Sequence, residues 1–374
     1  MILRLLARYV VLVLLVGAGH LLLLWLWNPA VDVPPPRVVR LAAGERGDDT
    51  DVTILFGGDT APTDAATPTL ERYGFEYPFT ATLGLLRGAD LAVVNLEAAV
   101  TESEEPFPLY KRYIYKVHPD AVKAMRWAGI GAVTLANNHV LDYGVEGFIH
   151  SLSHLERLGV VPIGGGPTAA EARRGVVFDV RGTRVGVLSY MEDTLMHSIY
   201  VRSFAGLRSP GCPRLSAAAL KRDLARMRRA ADVVVVSPHW GRNYDGVTLH
   251  QRVYARLMID YGADVVVGHG AHIHQPVGAH RGRPILYSLG NYAFGTPGRD
   301  WFRHGLLARL RIRGRRLCRV ELVPILTQNR IIRFKPERVT GPAARAMLQR
   351  LVRESEPLGA RLRVEGDLAV FGVM

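Results

Sequence analysis

Residues 248–275 read TLHQRVYARLMIDYGADVVVGHGAHIHQ. Residues 248–261 carry the spacing of a helix, and Gly262 supplies the left-handed residue that commonly ends one. Val265, Val266 and Val267 follow as a β-branched run, apolar on both faces, which suits a strand buried on both sides. Beyond that strand stand His269, His272 and His274. The same unit recurs in both directions. Residues 120–128 read as a helix stopped by Gly129 and followed by a strand at 130–135. Residues 146–158 put Phe148, Leu152 and Leu155 on one helical face and end at Gly159. Residues 215–231 lead into Val233, Val234, Val235 and Val236. Further strands at 52–56, 91–95, 176–180, 185–189 and 284–288 make a large or double sheet. Such alternation predicts an α/β fold.

Polar residues gather where the strands end. TILFGGDTAP ends in Asp59, LAVVNLEAAV in Asn95 and Glu97, and AVTLANNHVLDYG in Asn137, Asn138, His139 and Asp142. VVVVSPHWGRNY ends in His239, and ILYSLGNYAFG in Asn291. In α/β sheets ligands bind beyond the carboxyl ends of the strands. Taken singly, Asp59 or Asn138 reads as a helix cap, Asp142 as turn chemistry and His239 as a structural histidine. Together, the carboxylates of Asp59 and Glu97, the amide of Asn138 and the later imidazoles form a mixed oxygen and nitrogen donor set. That mixture suits Zn, Mn or Fe rather than Ca, which prefers oxygen alone. A carboxylate such as Glu97 can bridge two ions about 3.5–4 Å apart.

The chain has 374 residues, of which 48% are hydrophobic, which excludes a disordered polypeptide. Its 2 cysteines exclude a disulfide framework; an oxidising compartment would permit Cys212 and Cys318 to pair, and free thiols fit equally. The formal charge of +13 comes from 42 Arg and 5 Lys against 34 acidic residues. An anionic partner is one reading of that charge, and dispersed, solvated arginine is the plainer one. The densest run, Arg311, Arg313, Arg315, Arg316 and Arg319, predicts a hairpin turning at Arg313-Gly314 with a basic outer face. With no nucleic-acid-binding motif beside it, nucleic acid is set aside as a partner.

Residues 9–27 form a run of 19 with His20 as the only ionisable group besides Tyr9. As a helix this run spans about 28 Å, close to a bilayer core. Arg4 and Arg8 precede it, and Trp25 and Trp27 close it. The predicted organisation is a cytoplasmic stretch at 1–8, one N-terminal transmembrane anchor at 9–27 and a stiff linker at 28–51. An extracytoplasmic domain at 52–330 and a C-terminal tail at 331–374 follow, the tail packed on or near the domain with a helix near 342–353. A cleaved signal peptide is the alternative, but no small-x-small site follows Trp27.

GGDTAP, NLEAAVT, LANNHVLDYG, SPHWGRNY, GHGAHIHQP and YSLGNYAFG occur in an order and spacing that resembles the bacterial capsule-synthesis family of CapA type, associated with poly-γ-glutamate biosynthesis. The stretch GGGPTAAEARRGVVFDVRGTRVGVLSY and the N-terminal anchor are similar too. The resemblance covers about residues 52–325, and the family looks like a branch of the calcineurin-like metallophosphoesterases. It implies a four-layer αββα sandwich with one or two divalent metal ions at the strand ends. Carried over by motif, Asp59 binds one ion, Glu97 bridges where many relatives have aspartate, and Asn138 and His239 bind the second. His269 and His272 complete the metal set. His139 is the acid or charge stabiliser beside the scissile ester, with Asp142 orienting it. Two departures stand out. Ala61 occupies the histidine position of the usual Asp-x-His, so His274 is a further candidate ligand. GHGAH replaces the shorter GH-x-H, which leaves His269–His272 and His272–His274 both open as the ligand pair.

The resemblance implies a membrane-anchored protein of capsule or poly-γ-glutamate synthesis or export, whose metal site acts as a phosphoester hydrolase on a phosphorylated substrate. The other expectation is a subunit without catalysis that binds the anionic polymer and works with other membrane subunits of a synthase.

Overall fold

The computed structural model describes residues 31–41, 51–107, 111–194, 203–296 and 303–373. The predicted segments 1–8 and 9–27 lie outside them. Among the described residues no helix is long and apolar enough to cross a membrane.

Two sheets carry the fold. The first has seven strands: β1 (Arg37–Leu41), β6 (Val176–Val180), β7 (Thr183–Met191), β8 (Val233–His239), β9 (Val265–Val267), β10 (Val277–His280) and β11 (Arg283–Leu286), in the order β1-β6-β7-β8-β9-β11-β10. The second has ten. Its main path runs through β2 (Val52–Ala61), β3 (Leu91–Leu96), β4 (Ile130–Thr134) and β5 (Val161–Ile163). On the other side of β2 stand β13 (His304–Arg313), β14 (Arg316–Leu326), β16 (Leu368–Gly372) and β15 (Leu362–Glu365). β12 (Asn291–Phe294) also pairs with β2, and the two-residue strand Glu337–Arg338, the tenth, pairs with β14. Neighbouring strands from β2 to β5 are parallel, as are β7, β8, β9 and β11, so their carboxyl ends point one way within each sheet.

Alternation along the strands explains the layering. Val233 and Val235 of β8 share an inter-sheet core with Ile54 and Phe56 of β2, Phe178 of β6 and Leu310 of β13. Their neighbours Val234 and Val236 face outward onto helices α3 (Ala217–Ala230) and α4 (Leu249–Asp260), through Leu220, Leu224 and Met258. On the far side, Ala92 and Val94 of β3 meet Val122 and Met125 of α1 (Pro119–Ala128) and Phe148 and Leu155 of α2 (Gly144–Arg157). The result is an α/β sandwich of helices, two facing sheets and helices. Each buried valine or leucine contributes about 1.5–3 kcal/mol of apolar burial, which is why strands apolar on both faces belong here. α4 begins with a capping box between Thr248 and Gln251 and is followed by Gly262 at φ +113°.

Three features differ from the sequence reading. Arg37–Leu41, expected inside a linker, is edge strand β1, paired in parallel with β6. Its Val39 and Leu41 lean on the inter-sheet core, so a short run between arginines still finds an apolar seat. Residues expected as a tail hold α5 (Gly341–Ser355), where the helix was predicted, together with β15 and β16, which extend the ten-stranded sheet. Asn291, expected at the end of a strand, opens β12 instead. The chain therefore leaves the first sheet at Leu286 and joins the second at Asn291. The linking residues hold both sides: Leu289 N donates to Gly268 O at 3.1 Å, and Asp59 N donates to Gly290 O at 2.9 Å.

The hairpin at Arg313 forms as expected, with Gly314 and Arg315 both at positive φ (54° and 62°), the signature of a tight two-residue turn. Much of its basic face is neutralised within the chain. Arg309, Arg311 and Arg319 surround Glu321, and Arg313 pairs with Asp51. Cys212 and Cys318 are free thiols, the first buried in the core between β3, α1 and α2.

Candidate metal centre

The carboxyl ends of both sheets meet on one buried carboxylate. Glu97 follows β3 and is 1% exposed, and neither of its carboxylate oxygens has a hydrogen-bond partner. Its Oε1 is faced by three imidazole nitrogens: His239 Nε2 at 3.6 Å, His139 Nε2 at 3.8 Å and His272 Nε2 at 3.8 Å. These gaps are too long for hydrogen bonds. They lie a little beyond the roughly 3–3.5 Å that separates donor atoms sharing an ion at bond lengths of about 2.0–2.2 Å. Among the described residues Asp59, Glu97 and His272 form a group in which each offers a ligand atom within 4.8 Å of the others.

Each side chain has a local cause for its place. Asp59 sits on β2, where its Oδ1 accepts from Asn95 Nδ2 at 2.8 Å and its carboxylate accepts from the Gly270 N–H at 3.2 Å. Asn95, on neighbouring β3, also lies 3.2 Å from His239 Nδ1, which leaves Nε2 of that ring towards Glu97. His272 has φ +58°, a costly backbone for a side chain of this kind. Its Nδ1 is hydrogen-bonded to Asn291 Oδ1 at 2.9 Å and lies 3.4 Å from Asp59 Oδ2, so Nε2 faces Glu97. His269 is buried with Nδ1 3.8 Å from Asp59 Oδ1, and neither ring nitrogen has a hydrogen-bond partner. The amide oxygen of Asn138 is likewise buried and unpartnered. Buried polar atoms without partners are costly, and here they are carboxylate, amide and imidazole together. That donor chemistry fits a divalent transition-metal ion.

His139 turns Nδ1 to Asp142 Oδ2 at 2.7 Å, and Asp142 also accepts from Tyr115 N at 2.7 Å. Tyr115 lies against the His139 ring with centroids 4.4 Å apart, while Phe294 and Tyr244 flank His272 at 5.0 and 5.8 Å. His274 does not join the set. Its charged surroundings are His304, Glu354 and Arg350, so of the two open pairings the structure brings His269 and His272 to Asp59. The left-handed turn at His272 separates the two neighbours.

Protonation follows from burial. Burial pushes the Glu97 carboxyl up to about 8 against the pull of His272, with Asp59 and Asp142 adding to the rise. Burial also works to raise Asp59, but the His272 hydrogen bond and the charges of His272, His239 and His269 outweigh it and hold it well below the usual carboxylate range. Burial would lower His272, yet Glu97 and Asp59 lift it to about 9. Burial, joined by the charge of Lys111, takes His139 down to about 4, and burial takes His269 to about 4 against the pull of Asp59. Neutral imidazoles are the form that ligates metals.

Lys111 and Tyr115 escaped the sequence reading. They stand in a segment without strand or helix pattern, and no spacing ties them to the histidines. Asn95 was visible at a strand end but carried no signal that it orients Asp59 and His239.

The geometry sits inside a stretch that other proteins share. Residues 53–296 match the model of the family described as "Bacterial capsule synthesis protein PGA_cap". The chain is 26% identical over 301 residues to the "Capsule biosynthesis protein CapA" of Bacillus anthracis, covering 78% of this chain and 71% of that one. It is 27% identical over 277 residues to the "PGA biosynthesis protein CapA" of Bacillus subtilis, covering 73% and 71%. A "Probable polyglutamine synthesis accessory protein" of Mycobacterium tuberculosis is 32% identical over 247 residues, covering 62% of this chain and 64% of its own length. The matched stretch runs from the start of β2 past β12, takes in every side chain gathered around Glu97, and fills more than half of the chain, which therefore belongs to the CapA-type bacterial capsule synthesis family.

Proposed function

We propose that this protein is a membrane-anchored, extracytoplasmic component of capsule or poly-γ-glutamate synthesis whose centre binds divalent metal and hydrolyses a phosphoester. The observation that carries the metal reading is Glu97 Oε1, ringed by three imidazole nitrogens at 3.6–3.8 Å with no hydrogen bond of its own. Asp59, His269 and His272 would hold one ion, Asn138 and His239 a second, and Glu97 both. The ions of choice are Mn, Zn or Fe. Such ions lower the pKa of water and polarise a phosphoryl oxygen. His139, with its Nδ1–H held by Asp142, keeps Nε2 towards Glu97, where the imidazolium form would present an Nε2–H to a leaving oxygen or to the charge that develops there. The apolar run at residues 9–27, with Arg4 and Arg8 ahead of it, supports the anchor and the orientation.

The names of the relatives support the polymer context, and the word accessory in that of the mycobacterial relative favours a second reading. In it the protein is an accessory that binds anionic polymer for a membrane synthase, without turnover. One experiment separates the two. The full chain and its Asp59→Ala/His239→Ala variant are assayed for bound metal by mass spectrometry and for hydrolysis of a phosphoester panel with Mn(II) or Zn(II). Metal and hydrolysis, both lost in the variant, support the enzyme. Metal without hydrolysis, and a capsule defect on deletion that the variant rescues, support the accessory. No metal in any preparation sinks the metal reading.

A further inference from the structure

We propose that Lys111 is a positioning residue of this centre, clamping the Asn138–Asp142 turn so that Asn138 and His139 keep their places beside Glu97. The inference deepens the metal reading above and rests on it. Lys111 belongs to a segment remote from every motif, yet its side chain is only 9% exposed. Its ammonium meets three groups of one turn: Asn138 O at 2.7 Å, His139 Nδ1 at 3.1 Å, and Asp142 Oδ1 in close contact. A lysine ammonium has three protons and no acceptor; two of them go to the Asn138 and Asp142 oxygens, while the His139 Nδ1 beside it gives its own proton to Asp142. A charge this buried is costly unless paired, and the Asp142 carboxylate is the group that pairs it.

The rest of the segment points the same way. Phe107 N donates to Asp142 O at 2.9 Å and Tyr115 N to Asp142 Oδ2 at 2.7 Å, so residues on both sides of Lys111 converge on Asp142. Lys111 Nζ lies at the Nδ1 edge of the His139 ring, whereas Nε2 of the same ring faces Glu97. Lys111 therefore acts through other groups rather than on the ligand. Asp142 holds His139 by one bond, and a ring held by one bond can swing about it. Lys111 ties that carboxylate to the Asn138 carbonyl, which closes the turn and holds the backbone that carries the unpartnered Asn138 amide oxygen.

The test is Mn(II) titration by calorimetry on the full chain, wild type against Lys111→Ala and Lys111→Arg, with thermal melts of each. Groups that orient metal ligands are worth about 10–100-fold in affinity or activity. That loss is expected for Lys111→Ala, and methylammonium, which can fill the place of the amine, restores its Mn(II) affinity while leaving wild type unchanged. A purely structural lysine would lower melting without amine rescue of affinity. Should the alanine variant not fold, Lys111→Arg carries the test, because a planar guanidinium does not reproduce the contacts of a compact ammonium to both oxygens. A reduced affinity in that variant, at wild-type melting temperature, supports the clamp. Wild-type Mn(II) affinity in a folded variant overturns the role of Lys111 alone. Absence of Mn(II) binding by wild type overturns the metal reading and takes the clamp with it.

Discussion

Replacing Glu97 with glutamine should make the protein more stable in chelator and deaf to divalent metal. Glu97 is buried with both oxygens unpartnered, and burial lifts its carboxyl from 4.5 to about 8. The folded state thus keeps a proton that the unfolded chain releases near pH 4.5. A group whose folded pKa is raised contributes stability that is fully present below the unfolded value and is lost as pH rises through the folded one. For Glu97 that window runs from about 4.5 to about 8. At 1.36 kcal/mol per unit, the roughly three units between the unfolded value and pH 7.5 set a ceiling of about 4 kcal/mol. The pull of His272 is already counted in that value; an amide, larger and more polar than the protonated acid, gives part of the ceiling back, which leaves a net gain on the order of 2 kcal/mol, or about 4 °C in melting temperature. Melts in chelator at pH 5 and pH 8 should show the variant near wild type at the lower pH and above it at the higher. Mn(II) at a hundred times its Kd should then raise wild type by about 2.7 kcal/mol and reverse the order. A variant that melts below wild type in chelator at pH 8, or that gains as much from Mn(II), would refute the reasoning.

Asp223→Ala should cost about 3–5 kcal/mol in denaturant titrations, because Asp223 is the buried partner of Arg173 at 2.9 Å and also accepts from Tyr190; an effect below about 1 kcal/mol would show the pair to be dispensable. His274→Ala should leave metal content by mass spectrometry unchanged, whereas His269→Ala should lower it, since His274 is surrounded by His304, Glu354 and Arg350. Gly58→Ala should destabilise by about 3 kcal/mol, the upper end of overpacking costs. Its added Cβ would fall 1.9 Å from the Gly290 carbonyl oxygen, the acceptor that holds Asp59 N, and an unchanged unfolding midpoint would contradict this close approach.

Most of the donor set was legible because each member follows an apolar run whose helix and glycine neighbours announce a parallel strand. Asp59, Glu97, His139, His239 and His269 could be placed at one rim on that ground alone, without contact distances. His269 and His274 could not be told apart as the partner of His272, because the choice is decided by one left-handed residue, His272 itself, that no spacing reveals. Lys111 was invisible for a different reason. Its partner Asp142 lies 31 residues away in sequence, and a cation in a patternless segment reads as surface until the fold buries it. β1 was hidden because five residues between prolines and arginines carry too little alternation, and its partner strand begins at Val176. The change of sheet between Leu286 and Asn291 was hidden within what read as one strand and its end.

That crossing has a consequence for how a ligand is met. Leu286 and Asn291 belong to different sheets, and the five peptide links between them can reach no further than about 18 Å fully extended. Leu289 and Gly290 are moreover bonded to Gly268 and Asp59, one in each half of the donor set. The sheets are laced together at the rim where the ligand would sit, so this is no clamshell that gapes and shuts. Whatever enters finds the donors in position and spends little free energy assembling them. Discrimination among ligands then falls to the side chains packed around the donors, such as Tyr244 against His272 and Tyr115 against His139.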